Sequence, residues 1–257
     1  MESGHAVTAV APVLSAGVGA RYEGRLVLRM TSFRLDQSDL GSASLGIVTP
    51  RSAAAVALIG LLSGRIAPAY GSLRVLGHDM AQAAGRAAVR RRSGLASRAS
   101  RPIPAIRIRS LVERGAKRSG QPADARFLLV AAILDRLALT PWADVAFGAA
   151  PELIARKARL AIACVHQPGL LIIDGLLDHL QPLDRTVLAD AIRDLKRDTA
   201  LVALGGDADS LSLVCDRVIG LADGMIVGCR PAAAVDAAGS SEPARARVAP
   251  RPATALT

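Results

Sequence analysis

A short apolar run at residues 169–173 lies between Pro168 and the polar Asp174. An apolar run of this length is typical of a strand that is covered on both faces of a parallel sheet. Asp174 would then stand at the carboxyl end of that strand, the edge of an open α/β sheet where ligands bind. Its carboxylate is therefore a candidate for holding a metal-bound phosphate, and the competing interpretation is an acid that caps a turn.

Periodicity along the rest of the chain predicts strands first, then helices, and then strands alternating with helices. Strands are predicted at residues 26–30, 32–35, 45–48, 72–76, 170–173, 200–204, 217–221 and 225–227. Helices are predicted at residues 51–63, 80–91, 108–117, 123–139, 152–166 and 185–197. This order predicts a two-lobed α/β protein in which a helical lobe is inserted into the sheet domain.

The predicted domain spans residues 22–228, and its helical lobe spans about residues 98–166. Residues 1–21 are predicted to form a partly ordered N-terminal segment. From residue 229 to residue 257 the sequence is rich in Ala, Pro and Arg and has no periodicity. We therefore expect a disordered tail there.

Composition favours a protein of the reducing cytoplasm. The 257 residues are 51% apolar, which is enough for a sizeable core. Three cysteines without a CxxC spacing indicate neither a disulfide framework nor a zinc site. The longest apolar run, residues 53–62, falls short of the roughly 20 residues that a membrane helix needs. Because residues 1–20 lack a basic region, a secretory signal is not expected.

Positive charge is concentrated in one segment, residues 86–118. This segment holds eleven Arg or Lys residues and one acid, Glu113, so its net charge equals the +10 of the whole chain. Such a surface can meet nucleic acid, anionic lipid or an acidic protein, and the alternative is a solvated arginine-rich face. The chain is only 2% aromatic, which argues against single-strand binding by base stacking.

Three passages in one order and spacing resemble the ATP-binding cassette family, the nucleotide-binding subunits of ABC transporters. The passage LLSGRIAPAYGSLRVLGHDM resembles the family's sequence after the phosphate loop, and HQPGLLIIDGLLDHLQPLD resembles the Walker B strand with its D-loop. The passage CDRVIGLADGMIVG resembles the closing hairpin. The resemblance covers about residues 22–228. It implies the ABC-ATPase-like P-loop NTPase fold, an α/β fold with an antiparallel β subdomain and an inserted helical lobe.

The stretch aligned with the phosphate loop lacks the residues that this loop uses. In the motif G-x-x-x-x-G-K-[ST], glycines let backbone N–H groups wrap phosphate, lysine neutralises charge and the hydroxyl ligates magnesium. The two glycines, the lysine and the hydroxyl residue are here, in order, Thr49, Ala54, Ala55 and Val56. Arg51 and Ser52 remain as groups that can touch a phosphate.

Other motif positions of the family are also changed. The general-base glutamate, the D-loop aspartate, the Q-loop glutamine and the switch histidine align, in order, with Gly175, Gln181, Arg98 and Gly206. The signature LSGGQ aligns with residues 150–154 or 152–156, and neither alignment contains Ser-Gly-Gly. Tyr22 stands about where the family's adenine-stacking aromatic stands, and the alternative is an ordinary tyrosine at a strand edge.

These replacements predict a protein without catalytic residues, metal site or expected cofactor, which binds Mg-ATP weakly if at all. The predicted remnants of a nucleotide site are Tyr22, Arg51, Ser52 and Asp174. We predict a degenerate cassette that acts as a non-hydrolysing scaffold or regulatory subunit of a membrane complex. Two alternatives stay open: a nucleic-acid-associated cassette protein that uses residues 86–118, and a weak, unconventional ATPase.

The family resemblance also implies partners. In the family, the region that includes the Q-loop and the helical lobe meets the membrane subunits. We therefore predict docking on an acidic cytoplasmic surface of an integral-membrane subunit, at the inner face of the cell membrane, through Arg98, Arg101, Arg107 and Arg109. A second cassette chain is the other protein partner that the family implies, and nucleic acid is less favoured.

Overall fold

Two sheets form the framework of the domain in the computed structural model, which describes residues 11–35 and 43–231, without the side chains of residues 229–231. The strands are β1 (Val13–Tyr22), β2 (Arg25–Leu35), β3 (Ser44–Val48), β4 (Tyr70–Val75), β5 (His78–Asp79), β6 (Ser93–Ser97), β7 (Leu170–Asp174), β8 (Ala200–Gly205), β9 (Arg217–Ala222) and β10 (Met225–Pro231). One sheet is antiparallel, with the order β2-β1-β4-β5. The other has the order β10-β9-β3-β8-β7-β6 and is parallel except for β10.

Helices cover the parallel sheet and fill the insertion between β6 and β7. They are α1 (Ala53–Leu62), α2 (Ala83–Arg92), α3 (Ile108–Ala116), α4 (Ala123–Arg136), α5 (Glu152–Cys164), α6 (Pro182–Lys196) and α7 (Ala208–Ser212). Helices α3, α4 and α5 form the inserted helical lobe, together with short 3-10 turns. The predicted α/β class, antiparallel subdomain and helical lobe are therefore confirmed.

Strand β7 joins the two hydrophobic cores because its side chains alternate between the two faces of the sheet. Leu170 and Ile172 lie in the core that includes α1 and the antiparallel sheet. Leu171 and Ile173 lie in the core of the helical lobe and α6. All four are at most 1% exposed. The apolar run at residues 169–173 is thus a strand buried on both faces, as its pattern predicts.

The structure contains strands that the sequence analysis did not assign. Strand β1 pairs with β2 and β4, so the antiparallel sheet begins before residue 22. Strand β6 forms the edge of the parallel sheet beside β7. The two strands predicted at residues 26–30 and 32–35 are one strand, β2, in which Met30 has a φ of +48°. Strand β10 continues to Pro231, whereas residues 1–10, 36–42 and the rest of the predicted tail lie outside the described residues.

No helix in the described part of the chain is long and apolar enough to cross a membrane. Cys164 and Cys215 are free and buried, and burial raises the pKa of each thiol to about 12. Both thiols therefore remain protonated at neutral pH and behave as small apolar groups.

His166 is a buried polar residue at the end of α5. The residue is 7% exposed, and its Nε2 lies 3.3 Å from the carbonyl oxygen of Ser93. Its Nδ1 is buried without a hydrogen-bond partner among the described residues. Burial, together with the nearby charge of Arg118, lowers the pKa of His166 to about 4. The folded protein therefore favours the neutral ring, with the proton on the nitrogen that faces Ser93.

We expect acid to destabilise the fold through His166. Because its folded pKa lies below its unfolded pKa of about 6.5, its contribution to stability is present above pH 6.5 and is lost as the pH falls toward 4. The free energy of unfolding should fall by at most ~3 kcal/mol over this range through this group alone. Urea unfolding of wild type and of His166→Gln at several pH values measures the effect. An identical pH dependence in the two proteins would contradict this assignment.

Candidate functional site

A cleft lies at the carboxyl edge of the parallel sheet, where β3, β7 and β8 end next to one another. It has a volume of about 300 Å³. Its lining residues are Thr49, Pro50, Arg51, Ala55, Asp174, Asp178, His179, Leu204, Gly205 and Gly206. This is the edge at which the sequence predicted Asp174, and it is where open α/β sheets bind ligands.

The loop between β3 and α1 ends in a side-chain cap. Ser52 precedes the helix in an extended conformation, with a φ of −146° and a ψ of 163°. Its Oγ accepts a hydrogen bond from the backbone N–H of Ala55 at 3.3 Å. Residues 49–55 are all described, and none of them has a positive φ. Because an anion-binding nest needs successive N–H groups in a partly left-handed turn, this loop does not form one.

Asp174 reaches the cleft with one carboxylate oxygen already bound to the protein. The Oγ of Ser97, at the end of β6, donates a hydrogen bond to Asp174 Oδ2 at 2.6 Å. The next backbone N–H, that of Arg98, donates to the carbonyl oxygen of Asp174 at 2.9 Å. Strand pairing between β6 and β7 therefore positions this carboxylate without a ligand.

Asp178 is a residue of the cleft that the sequence analysis missed. Its Oδ1 accepts a hydrogen bond from the backbone N–H of Gly206 at 3.2 Å. A Cβ placed on Gly175 would lie 3.2 Å from Asp178 Oδ2, and Gly175 has a φ of +64°, which favours glycine. The position that the family resemblance assigns to the general-base glutamate is therefore a left-handed glycine next to the carboxylate of Asp178.

A buried arginine holds the loop that carries Asp178. Arg156 on α5 is 1% exposed. Its Nη1 donates to the carbonyl oxygens of Leu176 at 2.6 Å and Asp178 at 2.7 Å. Its Nε donates to Glu152 Oε1 at 2.7 Å, and this hydrogen bond lowers the pKa of the Glu152 carboxyl. The start of α5 is thereby tied to the loop after β7.

The side chains that line the cleft carry more negative than positive charge. Asp174 and Asp178 contribute two carboxylates, and Arg51 is the one guanidinium among the lining residues. At close range, like charges repel more strongly beside a protein than in bulk water. In the described part of the chain, no group of three His, Cys, Asp or Glu residues is arranged to hold a metal ion.

Of the predicted nucleotide-site remnants, the structure brings Arg51 and Asp174 together in the cleft. Ser52 lies beside them, with its hydroxyl oxygen occupied as the cap of α1. Tyr22 is at the end of β1, where it pairs with Arg25 across the β1–β2 hairpin, and it does not line the cleft. The aligned signature segment spans the start of α5, which begins at Glu152 without a side-chain cap from Pro151.

The four arginines predicted to bind a partner all follow β6. Arg107 and Arg109 share one carboxylate, that of Asp144, at distances of 3.9 and 3.7 Å. Arg101 is exposed and Arg98 is half-buried. This group therefore carries more positive charge than its neighbouring carboxylate balances.

Sequence comparison finds relatives among transporter proteins, while no family model matches the chain. The chain is 25% identical over 216 residues to Nod factor export ATP-binding protein I of Burkholderia orbicola, covering 84% of this chain and 69% of that protein. It is 22% identical over 168 residues to ABC transporter A family member 1 of Dictyostelium discoideum, covering 65% of this chain and 19% of that protein. Methionine import ATP-binding protein MetN 2 of Burkholderia mallei is 25% identical over 190 residues, 72% of this chain and 48% of that protein. The chain thus spans only part of these relatives.

Solved structures of ATP-binding cassette proteins have the same fold as this chain. The cbiO1 protein of Clostridium perfringens, part of the ABC transporter complex cbiONQ, superposes with a TM-score of 0.75 at 16% identity, covering 86% of this chain and 89% of that one. A nucleotide-free ATP-binding cassette from an ABC transporter superposes with a TM-score of 0.70 at 14% identity, covering 86% and 91% of the two chains. The chain therefore has the ABC-ATPase P-loop α/β fold, and its sequence is similar to those of ATP-binding proteins of ABC transporters.

Proposed function

We propose that the protein is a cassette subunit of an ABC-transporter-type membrane complex that does not hydrolyse ATP and acts as a scaffold or regulator. Its relatives include ATP-binding proteins of Nod factor export and methionine import. Its structural neighbour cbiO1 is part of an ABC transporter complex. These likenesses support transport machinery as the setting, and the cleft supports the loss of catalysis.

The observation that carries this proposal is the capped helix at the phosphate-loop position. The N–H of Ala55 donates to Ser52, and the side chain at position 55 has no positive charge. Hydrogen bonds to charged groups contribute about 1.5–3 kcal/mol each, so the loss of two or three weakens a micromolar site to about millimolar or worse. A nucleotide would also have to displace the cap.

The residue that activates water for ATP hydrolysis in the family is also replaced in this chain. Gly175 stands where the resemblance places the general base, and glycine cannot orient an attacking water. Asp178 places a carboxylate next to this position, and its Oδ1 accepts a hydrogen bond from the Gly206 N–H at 3.2 Å.

A scaffold role also follows from the way cassettes pair. In the family, each ATP lies between the phosphate loop of one chain and the signature motif of the other. This chain lacks both halves, because Ala55 is at the lysine position and residues 150–156 contain no Ser-Gly-Gly. A competent partner would therefore complete neither of the two composite sites. The proposed role is constitutive and does not follow an ATP cycle.

We expect millimolar Mg-ATP to leave the melting temperature of the protein unchanged. A ligand present near its dissociation constant adds only about 0.4 kcal/mol to the free energy of unfolding. Differential scanning fluorimetry with and without Mg-ATP measures the shift. Phosphate release should not exceed that of the Asp174→Ala variant. A shift of several degrees, or phosphate release above this control, would instead support the weak, unconventional ATPase.

The docking surface in this proposal is the group of arginines after β6. Arg107 and Arg109 share Asp144, and Arg101 is exposed, so the surface keeps a net positive charge. An acidic cytoplasmic surface of an integral-membrane subunit would complement this charge. The protein would then be peripheral at the inner face of the membrane.

Reversing the charge of these arginines should release the protein from membranes of its host. The variant carries Arg98→Glu, Arg101→Glu, Arg107→Glu and Arg109→Glu, and flotation of the membrane fraction measures the bound share. A matched variant carries Arg74→Glu, Arg90→Glu, Arg91→Glu and Arg92→Glu, so it has the same net charge with the changes placed elsewhere. If the first variant stays bound, or both variants are released equally, the docking proposal is wrong. Circular dichroism confirms that each variant is folded.

A further inference from the structure

The basic segment at residues 86–118 forms two separate surfaces, because β6 runs through it. Arg92 comes directly before β6 and Arg98 comes directly after it. A strand of five residues spans about 16 Å, so these two arginines stand at opposite edges of the parallel sheet. The arginines of the proposed membrane contact lie at the carboxyl edge, while Arg90, Arg91 and Arg92 lie at the amino edge, away from the cleft.

Arginines from two other segments join those at the amino edge. Arg118 follows α3, and its Nη2 donates to the carbonyl oxygens of Arg90 and Ser93, the latter at 2.9 Å. Burial, together with the nearby charge of Arg65, lowers the pKa of Arg118. A Cβ on Gly64, the residue before Arg65, would lie 3.2 Å from Arg90 Cγ. We call this group the amino-edge cluster: Arg65, Arg90, Arg91, Arg92 and Arg118.

In the part of the chain that the structure describes, no carboxylate pairs with this cluster. Among the described residues, none of its five members forms an ion pair with Asp or Glu. Arginines on other surfaces do pair; Arg136, for example, contacts both Asp194 and Asp198. The carboxyl end of α2 supplies a partial negative charge to Arg90, Arg91 and Arg92, which offsets only part of their repulsion. An external polyanion would provide the missing negative charge.

We propose that the amino-edge cluster binds the phosphate backbone of double-stranded nucleic acid. All five members are arginine, whose planar guanidinium donates two parallel hydrogen bonds to one phosphate. The three segments of the cluster contribute no aromatic side chain, so the cluster offers no platform for the stacked bases of a single strand. They also contribute none of the exposed large apolar side chains that insertion into a membrane requires. The proposal does not depend on the function proposed for the cleft.

The test compares two variants that remove the same charge from opposite edges. The first carries Arg90→Gln, Arg91→Gln and Arg92→Gln; Arg118 is kept because it holds two backbone carbonyls. The second carries Arg101→Gln, Arg107→Gln and Arg109→Gln. Binding of the full chain to a labelled DNA duplex of arbitrary sequence is followed by fluorescence anisotropy over a range of salt concentrations.

We expect wild type and the second variant to bind the duplex with the same steep dependence on salt. The first variant should bind more weakly, and its plot of log affinity against log salt should be shallower by about 0.9 for each lost phosphate contact. Equal losses in the two variants would show that only the overall charge matters, and would overturn the proposal. So would the absence of duplex binding at low salt, or a preference for single strands, polyglutamate or phosphatidylserine vesicles over the duplex.

Discussion

The hydrogen bond from the Ala55 N–H to Ser52 Oγ occupies a backbone amide at the start of α1, on the carboxyl edge of the sheet. The first N–H groups of a helix have no partner within the helix, and this makes a helix N-terminus a ready site for phosphate. In this chain the serine satisfies one of those groups from within the protein. The N–H of Thr49 is also bound, to the carbonyl oxygen of Gly205 at 2.9 Å. Two backbone N–H groups of this loop are therefore already bound within the protein.

The groups that stabilise the fold lie outside the cleft. The buried side chains of β7 divide between two cores, and neither core depends on a phosphate ligand. The loop after β7 takes its shape from buried Arg156, which binds two of its carbonyl oxygens. Such internal contacts position the loop beside the cleft without a ligand, which supports the proposed scaffold role. The cleft and the docking surfaces can therefore be considered separately.

Sequence pattern predicted those parts of the fold whose burial is local and regular. The apolar run before Asp174 predicted β7, and the family passages predicted the α/β fold with its antiparallel subdomain and helical lobe. The sequence pattern did not predict β1, whose alternation is interrupted by Gly17, in a left-handed conformation, and by Gly19, which packs against the ring of Tyr70. It also missed β6, a short strand with serine at both ends that is fixed by pairing with β7. Both strands depend on contacts distant in sequence. The same reason applies to Asp178, which reaches the cleft only because Gly175 turns the chain back.

The central claim is that the amides at the start of α1 do not receive a phosphate, and amide NMR tests it most directly. The backbone resonances of Ala53, Ala54 and Ala55 are followed during titration with Mg-ATP, against sodium chloride of equal ionic strength. The capped loop predicts that these three resonances move no more with Mg-ATP than with salt. A saturable shift of the Ala55 amide, with loss of its hydrogen bond to Ser52, would show that nucleotide displaces the cap and would contradict the account.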